Sequence, residues 1–188
     1  MSSEKHPHKA DGLFSRRRLL GFSLSIPLLV FTKNASATYI PTAKSLNIYS
    51  QNTGESFRGT YFENGRYLPD AMAQLNRLMR DHHSGAVIEI DPDLYDLLSN
   101  LSELLPASGP VELVSGYRTL ETNRAARRQS RRVARNSLHM QGKAADIVVP
   151  GYGVRQMRQA AISLQAGGVG TYRRSRFVHV DTGPVRTW

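Results

Sequence analysis

Two short segments near the end of the chain restrict the folds that this sequence can adopt: SLHMQGKAAD at residues 137–146 and FVHVD at residues 177–181. They contain His139, Asp146 and His179, which are two imidazoles and a carboxylate. This set of side chains suits a catalytic zinc site, in which a fourth position is left to water. If the three residues bind one metal ion, the fold must bring the two segments side by side.

Local spacing predicts how the two segments can meet. His139 and Asp146 are seven residues apart, and Gly142 between them permits a tight turn, so we expect a hairpin-like loop with His139 and Asp146 on opposite arms. Alternation along the second segment, as in a strand, places His179 and Asp181 on the same face. A hydrogen-bonded His–Asp pair without a metal is the common alternative, and spacing alone leaves both interpretations open.

The periodicity of apolar residues predicts an α+β fold. Helical spacing predicts helices over about 69–82, 92–105, 120–134 and 154–166, and short apolar runs predict strands over 46–50, 58–62, 111–114, 144–149 and 177–180. Helices are concentrated in the earlier part and strands in the later part, without a regular alternation of the two, which favours an α+β over a doubly wound fold. We therefore expect a small antiparallel sheet flanked by helices.

The N-terminal residues predict export. SRRRLL at residues 15–20 is a twin-arginine signature, an interrupted apolar run follows at 19–31, and Ala-Ser-Ala at 35–37 is a small-residue cleavage site. The apolar run is too short and too interrupted for a good membrane span. We expect a signal peptide at residues 1–37 that directs the chain through the twin-arginine pathway to the periplasm, and a mature domain at 38–188 without a stable membrane span. An uncleaved N-terminal anchor is the alternative.

Charge and cysteine content narrow the classes of function. Residues 1–37 hold six Lys/Arg and two Asp/Glu, so they carry +4 of the formal charge of +10 and leave +6 to the mature part. The remaining length, roughly 150 residues, is that of one domain. The chain has no cysteine, which excludes a disulfide framework, a thiolate zinc site and a cysteine nucleophile.

A row of arginines at helical spacing is a further pattern, formed by Arg124, Arg127, Arg128, Arg131, Arg132 and Arg135. On one continuous helix these side chains would form a stripe. Such a stripe is either a solvated face or a contact surface for an anionic polymer of the cell wall or envelope. Because no recognised nucleic-acid-binding motif accompanies it, we expect no nucleic-acid partner.

The motifs resemble those of a known family. The pattern S-x-H-x-x-G-x-A-x-D from residue 137 onward, followed by the late H-x-D from residue 179, is similar to the zinc peptidases of the D-alanyl-D-alanine peptidase, lysostaphin and hedgehog group. SGYRT at 115–119 and FVHVDTGPVR at 177–186 extend the likeness. Over nearly the whole mature chain, the sequence resembles the murein endopeptidase K (YcbK-like) family within that group.

This resemblance implies a hedgehog- or DD-peptidase-like α+β fold and a Zn²⁺ ion bound by His139, Asp146 and His179. It also implies hydrolysis of peptide cross-links in peptidoglycan, with LD-type activity favoured over DD-type. A catalytically inactive peptidoglycan-binding module of the same fold is the alternative function. No expectation about the oligomeric state follows from the sequence.

Two further residues are candidates for catalysis. The resemblance places Arg118 near the substrate, where a guanidinium suits a carboxylate or an oxyanion; a structural salt bridge is its alternative role. Relatives often carry a general base a few residues before the last ligand, but residues 173–176 are Arg-Arg-Ser-Arg. Asp181 is the nearest carboxylate, and we expect it to act either as the base or as a group that orients a ligand. Further candidates for the base are Glu55, Asp81 and His82.

Overall fold

A computed structural model describes residues 42–188. The predicted signal peptide at 1–37 lies outside the described residues and stays a prediction. The strands are β1 (Ala43–Ser50), β2 (Ser56–Glu63), β3 (Arg66–Tyr67), β4 (Val111–Ser115), β5 (Ala144–Val148), β6 (Gly168–Tyr172), β7 (Phe177–Asp181) and β8 (Arg186–Thr187). The helices are α1 (Pro69–Leu78), α2 (Pro92–Leu104), α3 (Leu120–Gln129) and α4 (Val154–Ser163), with a 3-10 helix at Leu138–Gln141. Within residues 42–188, none of the helices has the length and apolar character that a membrane crossing requires.

The strands form one sheet in the order β3-β2-β1-β4-β5-β7-β6-β8. Neighbouring strands are antiparallel, except that β1 pairs with β4 and β6 pairs with β8 in parallel. The predicted α+β class is confirmed, but the sheet is larger than expected and mixed. Its central parallel pair arises because α1 and α2 lie between β1 and β4 in the chain and supply the long connection that parallel neighbours need.

The helices cover the sheet and supply much of the core. Contacts join α1 to β2, α2 to β1, and α4 to β6 and β7. The buried face of α2 includes Leu94, Leu98 and Leu101, which belong to the same apolar cluster as Ile48 of β1 and Ile147 of β5. Burial of apolar surface is the main stabilising term in folding. Strands β5 and β7, near the middle of the sheet, contribute Ile147, Val178 and Val180 to this core.

Helix α3 ends five residues before its predicted end. Ser130 takes an extended backbone, with φ of −146° and ψ of 125°, and closes the helix. Beyond it, the Nδ2 amide of buried Asn123 donates hydrogen bonds to the carbonyls of Ala134 and Arg135, which folds the next segment back against α3. The prediction of one arginine stripe on a single helix is therefore wrong. Of its members, α3 carries only Arg124, Arg127 and Arg128.

Strand β6 is absent from the sequence-based prediction. Its segment contains Gly168 and Gly170, which read as turn residues in isolation. In the structure, a Cβ atom on Gly168 would lie 2.4 Å from the Arg186 guanidinium, and one on Gly170 would lie 2.6 Å from the Trp188 ring. The two glycines thus make room for side chains that reach across the sheet from the β8 segment.

Candidate metal site

Strands β5 and β7 bring the two sequence segments together. In their antiparallel register, Asp146 lies directly opposite His179. His139 belongs to the 3-10 helix before β5, so the expected hairpin-like loop is wrong. Gly142 ends this helix with φ of +67°, and a side chain there would press on the Glu89 carbonyl at 3.0 Å. A glycine is therefore needed at the point where the chain turns from His139 into β5.

The three candidate ligands meet at one point. His139 Nε2 lies 3.2 Å from Asp146 Oδ1, His179 Nδ1 lies 2.9 Å from the same oxygen, and the two nitrogens lie 3.1 Å apart. Ligand atoms at zinc distances of about 2.0 Å stand about 3.3 Å apart in a tetrahedron. Among the residues that the structure describes, these form the one cluster of three or more His, Cys, Asp or Glu suited to hold a metal ion. The donor atoms thus have the spacing of ligands around a small cation.

The hydrogen bonds on the far side of each imidazole set its tautomer. His139 Nδ1 lies 2.7 Å from the Gly116 carbonyl, which can only accept, so this nitrogen carries the proton. His179 Nε2 lies 2.9 Å from Asp181 Oδ2 and donates to this carboxylate. The facing atoms, His139 Nε2, His179 Nδ1 and Asp146 Oδ1, are then three lone pairs directed at one another. Such an arrangement is repulsive unless a metal ion lies between these atoms or a proton on His179 Nδ1 is donated to Asp146.

Burial and charge act on the titratable groups of the cluster. Burial alone would raise the pKa of the Asp146 carboxyl, but the two imidazoles and Arg118 hold this pKa well below its usual range. Burial lowers the pKa of His139. For His179, burial acts in the same direction, but hydrogen bonds with Asp146 and Asp181 outweigh it and raise the pKa. An ionised carboxylate beside a neutral His139 is the state that a metal ion requires.

Arg118 reaches the cluster from the loop after β4. Its Nη2 donates to Asp146 Oδ2, the carboxylate oxygen that faces away from the two imidazoles, and its Nε donates to Ser115 Oγ at 2.8 Å. Its backbone N–H donates to the His139 carbonyl at 3.2 Å. The structure therefore places Arg118 in a salt bridge with a candidate ligand, and its side chain also lines the cavity above the cluster.

The same loop positions the His139 imidazole through Gly116, which sequence reasoning missed. A Cβ atom on Gly116 would lie 2.5 Å from the Met79 carbonyl, so the loop can approach this segment only without a side chain. The Tyr117 N–H donates to the same Met79 carbonyl at 2.7 Å, and the Thr119 N–H donates to Asp81 at 2.8 Å. The SGYRT motif at 115–119 was the sequence feature that could have pointed to this role, because its glycine, Gly116, is needed for the close packing of the loop.

Asp181 lies behind His179 and has no exposed surface. Its Oδ1 accepts hydrogen bonds from the N–H groups of Gly168 and Gly183, at 3.1 and 2.9 Å. Arg186 donates to both oxygens, at 3.0 Å to Oδ1 and 2.8 Å to Oδ2. Burial would raise the pKa of Asp181, but the bonds with His179, Arg186 and the Gly183 N–H hold this pKa below its usual range. Sequence reasoning did not identify Arg186 as a partner of this carboxylate.

These contacts motivate a prediction for Asp181→Asn. We propose that Asp181 orients His179, so the variant should bind zinc about 10- to 100-fold more weakly, as expected when the partner of a metal-bound histidine is altered. Zinc affinity is measured by competition with a chelator, and turnover is then measured at saturating zinc. Full activity at saturating zinc is the expected result.

The opposite outcome is also specific. If turnover at saturating zinc stays about 100-fold or more below wild type, Asp181 acts as the general base. Asp93→Asn changes an exposed carboxylate in the first turn of α2 and serves as the control, which should keep both zinc affinity and turnover.

The other candidates for the base differ in their surroundings. Glu55 forms an ion pair with Arg80, and Asp81 accepts hydrogen bonds from Thr119 and from the backbone of His83. His82 is exposed and lines a cleft of about 750 Å³, which shares Arg118 with the cavity above the metal cluster. Burial, together with the adjacent His83, lowers the pKa of His82 and favours its neutral form. Of these three candidates for the general base, His82 is thus the one that lines a cleft.

The cavity above the cluster has a volume of about 170 Å³. His139, Asp146, His179 and Arg118 lie in its wall, together with Trp188, whose ring centroid is 5.2 Å from that of His179. The cavity shares Arg118 and Val133 with the wall of the 750 Å³ cleft, and Arg132, Tyr172 and Trp188 with the wall of a cleft of about 1220 Å³. The cavity at the cluster is therefore adjacent to two larger clefts.

Comparison with known proteins identifies relatives over almost the full length. A family model described as peptidoglycan L,D-endopeptidase MepK matches residues 38–188. The peptidoglycan L,D-endopeptidase MepK of Escherichia coli (strain K12) is 40% identical over 176 residues, which cover 93% of this chain and 97% of that protein. The probable peptidoglycan L,D-endopeptidase MepK of Haemophilus influenzae is 38% identical over 169 residues, 89% of this chain and 90% of that protein. No solved structure matches the chain significantly.

Proposed function

The chain belongs to the peptidase family described as peptidoglycan L,D-endopeptidase MepK, and from this premise we propose that it is a zinc-dependent enzyme that hydrolyses peptide cross-links in peptidoglycan. We propose the L,D type of cross-link, because the relatives from E. coli and H. influenzae carry this activity in their names. A catalytically inactive binding module is not favoured, since the complete His-Asp-His cluster is present.

One observation carries the metal proposal. Three lone pairs, on His139 Nε2, His179 Nδ1 and Asp146 Oδ1, converge within 3.2 Å. Two imidazoles with one carboxylate suit Zn²⁺, whereas Mg²⁺ and Ca²⁺ prefer oxygen ligands. A bound zinc ion would supply a Lewis acid that polarises the scissile carbonyl and lowers the pKa of a water molecule to about 7.

The remaining residues of the site prepare it for the reaction. Gly116 and Asp181 each hold the far nitrogen of one imidazole, so that both rings present the other nitrogen to the cavity. Arg118 neutralises Asp146 and lines the cavity, where its guanidinium lies close enough to the cluster to meet a substrate oxygen. We propose that Arg118 stabilises negative charge on the substrate during peptide hydrolysis.

We also propose that the protein acts in the periplasm. The twin-arginine signature at residues 15–20 and the cleavage site at 35–37 support this location, since peptidoglycan lies outside the cytoplasmic membrane. Export through this pathway takes place in the folded state, which allows a metal to be loaded before or after transport.

Digestion of purified sacculi tests the proposed function. The purified protein is incubated with sacculi, with zinc and after chelation, and the soluble products are separated by chromatography. We expect zinc-dependent conversion of cross-linked dimers to monomers, and faster cleavage of defined 3–3 dimers than of 4–3 dimers. Binding to sacculi without any release of monomers would instead support the inactive binding module.

A further inference from the structure

The 1220 Å³ cleft beside the metal cavity is rich in arginine. Three separate segments form its walls: the segment after α3, the outer face of α4, and the turn between β6 and β7. We call it the arginine cleft, and its five arginines are Arg132, Arg155, Arg158, Arg173 and Arg174. No Asp or Glu of residues 42–188 lines it.

The positive charge of the cleft is not neutralised within the fold. None of its five arginines forms an ion pair with a carboxylate of the described residues. By contrast, two arginines beside the metal cluster, Arg118 and Arg186, are each paired with a buried Asp. Like charges in one concave surface repel one another unless an anion binds between them. The cleft thus has the charge distribution of an anion-binding site.

The arginine cleft is continuous with the metal cavity. Arg132, Tyr172 and Trp188 line both spaces. A ligand that extends from the metal cavity past Trp188 would therefore enter the cleft without leaving the protein surface. Because the two spaces are continuous, the ligand of the cleft is better explained as an anionic group of the substrate itself than as a separate polymer.

We propose that the arginine cleft binds free carboxylates of the stem peptide on one side of the scissile bond and selects substrates in which these carboxylates are not amidated. This inference rests on the proposed function. Stem peptides with diaminopimelate carry α-carboxylates close to the cross-link, and the planar guanidinium forms paired hydrogen bonds with a carboxylate. A neutral carboxamide lacks the charge and one acceptor oxygen, so it loses most of this interaction.

The test combines one double variant with two substrates. Arg155→Gln/Arg158→Gln removes two guanidiniums from the face of α4 that lines the cleft. Because their charge-assisted hydrogen bonds to a carboxylate are lost, KM for a soluble cross-linked dimer with free carboxylates should rise about 10- to 100-fold, which corresponds to about 1.4–2.7 kcal/mol of binding free energy. The value of kcat should change less than about threefold, because the metal cluster is untouched.

The amidated dimer gives the second arm of the experiment. With wild-type protein, its KM should already be raised to a similar extent, and the double variant should add little. Arg124→Gln/Arg127→Gln serves as the matched control, since it removes two exposed arginines with the same spacing from α3, outside the cleft. This control should behave as wild type with both substrates.

Three outcomes would overturn the proposal. The first is an equal loss in the double variant and in the control, and the second is an equal loss with free and amidated dimers. The third is unchanged cleavage of soluble dimers by Arg155→Gln/Arg158→Gln. If a phosphate polymer then binds the wild type but not this variant, the cleft is assigned to a different polyanion.

A binding measurement separates this inference from the proposed function. If wild-type protein with zinc cleaves no dimer, the proposed function fails. The cleft is then tested by calorimetric binding of un-cross-linked stem peptides, in the free and amidated forms, to the wild type and both double variants. Tighter binding of the free form, lost only in Arg155→Gln/Arg158→Gln, would still support the cleft as a carboxylate site.

Discussion

His139→Ala should abolish both zinc binding and hydrolysis. The variant removes one of the three proposed ligands, whose Nε2 lies 3.2 Å from Asp146 Oδ1 and 3.1 Å from His179 Nδ1. We expect zinc content to fall from about one per chain to near zero, and cleavage of cross-linked dimers to fall at least about 1000-fold, because the proposed zinc ion would supply the Lewis acid. Elemental analysis and dimer cleavage measure the two effects.

The control for this prediction is another histidine. His83→Ala alters an exposed imidazole outside the cluster and should keep zinc and activity. Circular dichroism verifies that the fold persists without the buried ring of His139, and His179→Ala provides a second ligand variant from another strand. If His139→Ala retains one zinc per chain, the ligand assignment is wrong.

Arg118→Lys should lower turnover by about 10- to 1000-fold while zinc stays bound. Lysine keeps the positive charge but has no planar fork, so it cannot donate to Asp146 Oδ2 and Ser115 Oγ and still present an N–H to the cavity. The loss should therefore appear in kcat, with zinc content close to one per chain. Steady-state cleavage of dimers and elemental analysis are the measurements.

Arg80→Lys is a matched control for this substitution. Arg80 donates with Nη1 and Nη2 to Glu55, so the same change breaks an arginine–carboxylate ion pair away from the metal cluster. It should affect stability slightly and turnover hardly at all. If Arg118→Lys turns over near the wild-type rate with zinc bound, Arg118 has only a structural role in holding Asp146.

Much about this protein was determined by the sequence itself. The α+β class followed from periodicity, and the motifs around His139 and His179 predicted the family that the relatives confirm. The types of donor in the cluster also followed directly, because imidazoles and a carboxylate in two short segments leave few alternatives. These features are local, so they can be read from neighbouring residues.

Other features were decided by contacts between residues far apart in the chain. The free nitrogen of His139 depends on the Gly116 carbonyl, 23 residues away, and the end of α3 depends on Asn123 reaching Arg135. Whether Asp181 faces the substrate or the back of His179 depends on Arg186 and the sheet. Periodicity carries no information on such pairings, since it describes only which face of an element is apolar.

The charge pattern shows the same division. The sequence alone showed a row of arginines after residue 123 and predicted one helical stripe. In the fold, the chain turns at Ser130, so Arg132 leaves that row and joins Arg155 and Arg158 of α4 in the arginine cleft. Charge density was visible in the sequence, but the position of each charge in space depended on where α3 ended and on how the buried amide of Asn123, within α3, holds the segment that follows.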